Sequence, residues 1–223
     1  MKITVSLRQY ASCAVSAAIV AGAAGLLSSA NAQVQFPVEK PNPKLGDVWK
    51  YRTVDLWTNK EQSTFSTELV GSDADRFTHR FKSSLNNTVE TSTESNDLAP
   101  SRALRNSDQQ ICIGAFRFPM QLGQKTEYEK QPWANGNGHS SAKCEAKAEE
   151  KVTVAAGTFD TVRVECAGFW NRVFDGTRSG RFSQTIWYSA KVNRSIKTQY
   201  LDFDSSGSPF NKTQTELVEF IAK

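Results

Sequence analysis

Once a leader over residues 1–32 is set aside, the side chains of this chain best suited to chemistry are two histidines, three cysteines and a few acidic pairs. Hydrolytic triads and metal sites lean on imidazole, because its charge changes near neutral pH. His79, between Thr78 and Arg80, is read as opposite in phase to Phe77 and Phe81 and so as a solvent-facing strand residue. His139 follows Asn135-Gly136-Asn137-Gly138 and reads as part of that turn. There is no H-E-x-x-H, and Gly176-Thr177-Arg178-Ser179-Gly180 places its serine one residue late for a G-x-S-x-G nucleophile turn. Asp73 and Asp75 lie in a turn. Glu149 and Glu150 are neighbours on a strand, so they point to opposite faces. Asp202-Phe203-Asp204-Ser205-Ser206-Gly207 has the opening of a calcium loop. Its twelfth position is Thr213 rather than Glu, and Pro209 intrudes, so it reads as a polar turn. These residues assign no catalytic group, no metal and no cofactor.

Cys112, Cys144 and Cys166 leave an odd thiol after one pairing. The expected disulfide is Cys112–Cys144. Pairing Val154 with Val162 across a turn would set Cys166 opposite Glu150, several residues from Cys144.

The stronger signal is aromatic. Trp49, Tyr51, Trp57, Trp133, Trp170, Trp187 and Tyr188 are large rings with a polar handle, suited to a core or to the wall of a pocket. Trp49, Tyr51 and Trp57 fall in phase on one expected strand, Val48 to Trp57. With Trp170, Trp187 and Tyr188 they are the candidate ligand-binding residues.

The elements that must position these groups are strands. The first 32 residues are set apart: Lys2 and Arg8 open them, Cys13 to Leu27 is small and apolar, and Ala30-Asn31-Ala32 precedes Gln33. This is the layout of a cleaved secretory signal. The run is too short and too rich in Ala, Gly and Ser for a spanning helix, which wants about 20 strongly apolar residues. Cys13 lacks the L-x-G lead-in of a lipid-attachment cysteine. Removing 32 of 223 residues leaves 191, enough for one domain with a sizeable core. The 27 basic residues less Lys2 and Arg8 leave 25 against 23 acidic, a charge of +2. Without a dense basic run, nucleic acid is not the expected partner. Residues 33–46, with Pro37, Pro41 and Pro43, read as an extended leader to a single β domain over 47–223.

Period-two alternation then predicts about ten strands. Residues 83–110 are the polar exception, with a short helix expected over Ala99 to Arg105. Beyond them strands are expected over Ile111 to Phe118, Gln124 to Glu129, Lys143 to Val154, Phe159 to Trp170, Arg181 to Ser189, Ile196 to Phe203 and Thr213 to Phe220. Leu45-Gly46 before Tyr51 is echoed by Leu122-Gly123 before Tyr128, which hints at two related β units.

Two stretches carry a resemblance. Val152-Thr153-Val154-Ala155-Ala156-Gly157-Thr158-Phe159 and Trp187-Tyr188-Ser189-Ala190-Lys191-Val192-Asn193-Arg194-Ser195-Ile196-Lys197 resemble uncharacterised secreted bacterial β proteins. Those proteins carry V-x-V-P-A-G-T-F and then W-Y-S-P-x-V-x-R-x-V-K. Ala155 and Ala190 stand where they have proline, and Gly46-Asp47-Val48-Trp49-Lys50-Tyr51 looks like their G-D-x-W-x-Y opening. The resemblance implies a strongly curved antiparallel sheet or half-barrel and no particular activity. Arg194 is expected to pair with a carboxylate and fix the loop after Tyr188.

The sequence thus reads as a mainly β, periplasmic or secreted, non-enzymatic module for an apolar or amphipathic ligand such as a lipid. The alternatives are an envelope structural or protein-interaction module with a packed core, and a hydrolase with a non-standard site. An open cavity of a few hundred Å³ would favour the first. The hydrolase would need a histidine beside a buried carboxylate or nucleophile.

Overall fold

The computed structural model describes residues 34–86, 89–104, 109–133, 136–172 and 178–223. The expected signal, the hairpin turn that the sequence also marks at Asp175-Gly176, Asn135 and Arg105 lie outside these residues. The chain divides into Met1–Asn31 and Ala32–Lys223, and the described strands all belong to the second unit. They are β1 (Val48–Asp55), β2 (Glu61–Ser72), β3 (Arg76–Ser83), β4 (Val89–Ser95), β5 (Ser101–Ala103), β6 (Gln110–Cys112), β7 (Lys125–Trp133), β8 (Gly138–Val154), β9 (Gly157–Arg172), β10 (Arg178–Ser189), β11 (Arg194–Phe203) and β12 (Pro209–Ile221). Among the described residues, no helix is long and apolar enough to cross a membrane.

Ten strands form one open antiparallel sheet in the order β4-β3-β2-β1-β12-β11-β10-β9-β8-β7, and β5 pairs with β6 alone. Each hairpin pairs neighbours in sequence, and the two meanders join where β12 lies beside β1. Gly46 and Gly123 open β1 and β7 in the same way. Both take a positive φ, and both donate an N–H to the adjoining strand, at Leu69 and Ala146 respectively. Asp47 then accepts bonds from the N–H of Lys44 (2.8 Å) and of Lys223 (2.9 Å), tying the start of β1 to the end of β12.

The sheet is strongly curved. Bulges interrupt every ladder of the ten-stranded sheet except β3·β4 and β9·β10, and each adds local twist. Arg194 on β11 bonds Glu94 on β4 and His79 on β3, although β12, β1 and β2 stand between them in the sheet. The tip of the β8–β9 hairpin likewise reaches β12, where the N–H of Ala156 bonds the Leu217 carbonyl.

Two apolar cores result. One fills the inner face of β7 to β10 with Ala142, Val164, Ile186 and Tyr188 under a cover of Phe116, Phe118 and Met120. The other packs Trp49, Leu69, Ile196 and Leu217 against Val154 and Phe159 of the hairpin tip. Two expected elements differ. Ala99 to Arg105 contains a strand rather than a helix, because Ser101 to Ala103 pairs with Gln110 to Cys112. The strand expected over Ile111 to Phe118 ends at Cys112, because the following residues cross the concave face and send Phe116 and Phe118 onto Tyr188 at 5.6 and 5.2 Å.

The disulfide also differs from expectation. It joins Cys144 to Cys166 (S–S 2.03 Å), and Cys112 is free. The β8–β9 turn is tight, with Val154 opposite Gly157 rather than Val162. A bulge between Ala146 and Ala148 then brings Cys144 directly opposite Cys166.

Candidate functional site

Beyond the filled part of the first core, the concave face stays open as a cavity of about 440 Å³. Period two and register build it. Trp170 and Arg172 on β9, Phe182 and Gln184 on β10, and Tyr200 and Asp202 on β11 each lie two apart, and so share a face. Phe182 pairs with Asp202, Gln184 with Tyr200, and Asp202 with Asn211, which stacks these residues into one patch. Tyr128 and Trp133 of β7 and Phe210 of β12 complete the walls. Phe182 and Tyr200 stack at 5.7 Å with their planes 28° apart. Trp170 meets Phe210 at 5.8 Å and 74°. Gly180 makes room for the indole: a Cβ there would stand 2.7 Å from ring carbons of Trp170 and 1.9 Å from the Phe203 carbonyl.

The polar groups of this wall are under strain of solvation. Among the described residues, Asp202 Oδ1 and the Trp170 indole nitrogen are buried with no hydrogen-bond partner. Burial pushes the Asp202 carboxyl above the usual range, against the opposing bonds from Tyr200 and Asn211. Burial, and next the nearby Asp202 charge, also hold the Tyr200 hydroxyl well above its ordinary value. An acid whose folded pKa is raised destabilises the fold once pH exceeds its unfolded value of about 3.9. Asp202→Asn is therefore expected to raise stability at pH 7 by on the order of 1 kcal/mol and to change it little at pH 3. Thermal melts at the two pH values check this, and an equal effect at both would contradict it.

A second cluster lies at the other end of the curl. Glu94 receives both terminal nitrogens of Arg194 at 2.9 and 2.5 Å and lies 3.0 Å from His79 Nε2. Arg194 also lies over the Trp49 ring at 4.9 Å. Tyr51, Phe65, Phe81 and Lys197 line a cavity of about 290 Å³ beside it. Arg194 thus does pair with a carboxylate, and it fixes the turn after Tyr188 to the opposite end of the sheet. His79 is not solvent-facing: it is 2% exposed. Residues 77, 79 and 81 have the same parity on β3, so the imidazole points inward with Phe77. His139 lies in β8 rather than in a turn, opposite Pro132 and Asn171.

The chemistry of the cluster is that of a lock. Burial pushes Glu94 up, but the Arg194 guanidinium and His79 more than reverse this and hold its carboxyl below the ordinary range. A carboxylate so neutralised is a poor base, and among the described residues no hydroxyl or thiol bonds His79. No cluster of three or more potential metal ligands occurs there either. In the candidate calcium loop, Asp204 Oδ1 accepts bonds from the N–H groups of Ser206 and Ser208 and closes a polar turn, while Asp202 turns to the pocket wall.

Of the six aromatic residues singled out from sequence, Trp170 lines the cavity of about 440 Å³, Tyr51 that of about 290 Å³, and Tyr188 borders another of about 500 Å³. Trp49 is fully buried, its indole N–H donating to the Val192 carbonyl at 2.8 Å. Trp187 is wedged in the core, bonded to Glu150 with Lys197 over its ring. Tyr188 is core, packed on Phe116 and Phe118. Trp57 does not share the face of Trp49 and Tyr51, because β1 ends at Asp55. Its N–H bonds Asp55 in the turn and its side chain is half exposed. Tyr128, Phe182, Tyr200 and Phe210 were not singled out for binding, Trp133 only as one of the large rings and Asp202 only for the calcium-like turn, although the i, i+2 pairs Phe182/Gln184 and Tyr200/Asp202 mark their face in the sequence.

The chain is thus an open, strongly curved antiparallel sheet with a hollow of about 440 Å³ on its concave face. Two solved structures are similar to it. One is a provisionally named lipoprotein of Parabacteroides distasonis ATCC 8503, with a TM-score of 0.53 and 15% identity over 82% of this chain and 99% of that chain. The other is a provisionally named exported protein of Bacteroides fragilis NCTC 9343, its fold described as YmcC-like, with a TM-score of 0.51 and 12% identity over the same shares. The sequence matches no protein-family model and no curated protein.

Proposed function

We propose that this protein works outside the cytoplasm, after removal of its first 32 residues, as a non-enzymatic module that holds an amphipathic ligand on the concave face of β7 to β12. The observation that carries the reading is the open cavity of about 440 Å³, in which six aromatic rings alternate with polar side chains. That volume falls within the roughly 300–1,000 Å³ typical of small-molecule sites. The Cys144–Cys166 disulfide fits an oxidising compartment. So do the exported and lipoprotein names of the two similar structures.

The interaction-module reading depends on free sheet edges. One edge, β7, carries Lys125, Lys130, Pro132 and a bulge between Tyr128 and Gln131, features that discourage strand addition. The hydrolase reading has its histidine beside a buried carboxylate, but Arg194 already neutralises that group.

Native mass spectrometry of the mature protein from its own compartment, with solvent extraction of anything bound, tests the proposal. A co-purifying small molecule that is lost in Trp170→Ala, with the melting curve retained, is the expected result. A bare protein mass together with a stable protein complex would overturn it in favour of interaction.

A further inference from the structure

We infer that the ligand of this pocket is a saccharide: a neutral ring with hydroxyls at its edge and C–H groups on its face. The inference rests on the reading of the cavity as a ligand site, and it follows from the balance of groups on the wall.

Six aromatic side chains are matched by six polar ones: Gln131, Ser140, Arg172, Gln184, Asp202 and Asn211. A lipid tail gains nothing from so polar a lining, since each polar group it covers loses water without a replacement bond. A fatty acid's carboxylate would meet Asp202 on the same wall as Arg172. An organic cation would suit the rings and Asp202, but Arg172 stands on the same wall. A neutral ligand able both to donate and to accept suits the whole set.

Hydroxyls have that double capacity. One can donate to Asp202, whose Oδ1 has no partner, and another can accept from the partnerless Trp170 indole N–H, once either side chain turns toward the cavity. The rings supply the complement to an apolar face. Phe182 and Tyr200, stacked on each other, and the Trp170–Phe210 pair, crossed at 74°, give the wall its apolar surface. A sugar ring has C–H groups on its faces and a rim of hydroxyls, and so matches a wall on which aromatic rings stand among polar groups.

The test is tryptophan fluorescence of the mature protein titrated with maltotriose, cellotriose and diacetylchitobiose, followed by a glycan array, with oleate and choline as the rival probes. Saturable binding of a saccharide is expected. Trp170→Ala should weaken it by at least about tenfold. Asp202→Asn should weaken it too, although it is expected to stabilise the fold. Phe169→Ala, exposed on the opposite face of β9, should leave binding unchanged. Binding of oleate or choline but of no glycan would overturn the saccharide assignment and leave the binding-module reading intact. Failure of every probe, with a bare protein from its own compartment, would overturn both. Saccharide binding that survives Trp170→Ala in a folded protein would also overturn the assignment to this pocket.

Discussion

Arg194→Ala is expected to cost about 3–5 kcal/mol of stability and to lower the melting temperature by roughly 10 °C. Removing the guanidinium leaves the Glu94 carboxylate buried beside His79, and strips a cation from the Trp49 ring. It also cuts the tie that holds β4 and β3 against the start of β11. The pair is not a surface pair: the Glu94 and Arg194 side chains are 10% and 14% exposed. Exposed pairs are worth about 0–1 kcal/mol, so a loss under about 1 kcal/mol in urea denaturation would refute this account. Glu94→Gln should cost less when Arg194 has already been replaced by Met than when it is present, because the two groups act as a unit.

The pH dependence follows in sign. Glu94 has a folded pKa below its unfolded value, so its contribution is complete above about pH 4.3 and is lost as pH falls toward the folded value. The wild-type protein should lose more stability between pH 5 and pH 3 than Glu94→Gln does. Asp202 titrates with the opposite sign and partly masks this, so the comparison is cleanest in an Asp202→Asn background.

Replacing Cys144 and Cys166 together by Ala is expected to cost about 3 kcal/mol, the chain-entropy value for a loop of this length. The two cysteines are 22 residues apart in sequence. They lie opposite each other within a hairpin whose ladder continues on both sides. The variant should therefore keep the β signature in circular dichroism while melting lower. Peptide mapping without reductant should recover a Cys144–Cys166 link, and alkylation of the native protein should label Cys112 alone. A Cys112–Cys144 peptide would contradict the β8–β9 register itself.

Strand identity was legible in the sequence because alternation is local. The pattern of Phe159 to Trp170 or of Arg181 to Ser189 depends only on which residues stand two apart. The Gly46 and Gly123 turns and the partner expected for Arg194 were legible for the same reason, since a turn or an unpaired cation announces its own need. His79 was misjudged even though its parity with Phe77 and Phe81 is a local fact. Its inward place would have followed from counting alone, whatever its polar neighbours.

What depended on distant residues was not legible. The length of the Ala155-Ala156 turn and one bulge decide which cysteine faces which, and a shift of a few residues changes the answer. The candidate pocket draws two rings from β7 and one each from β9, β10, β11 and β12, and it exists because the sheet curls and the segment carrying Phe116 and Phe118 covers only part of the hollow. Composition and alternation determined a mainly β chain rich in amphipathic rings. Curvature, register and the extent of that cover decided which rings became core and which were left facing open space. Those are sums of many weak, non-local contacts, and no single stretch of sequence contains them.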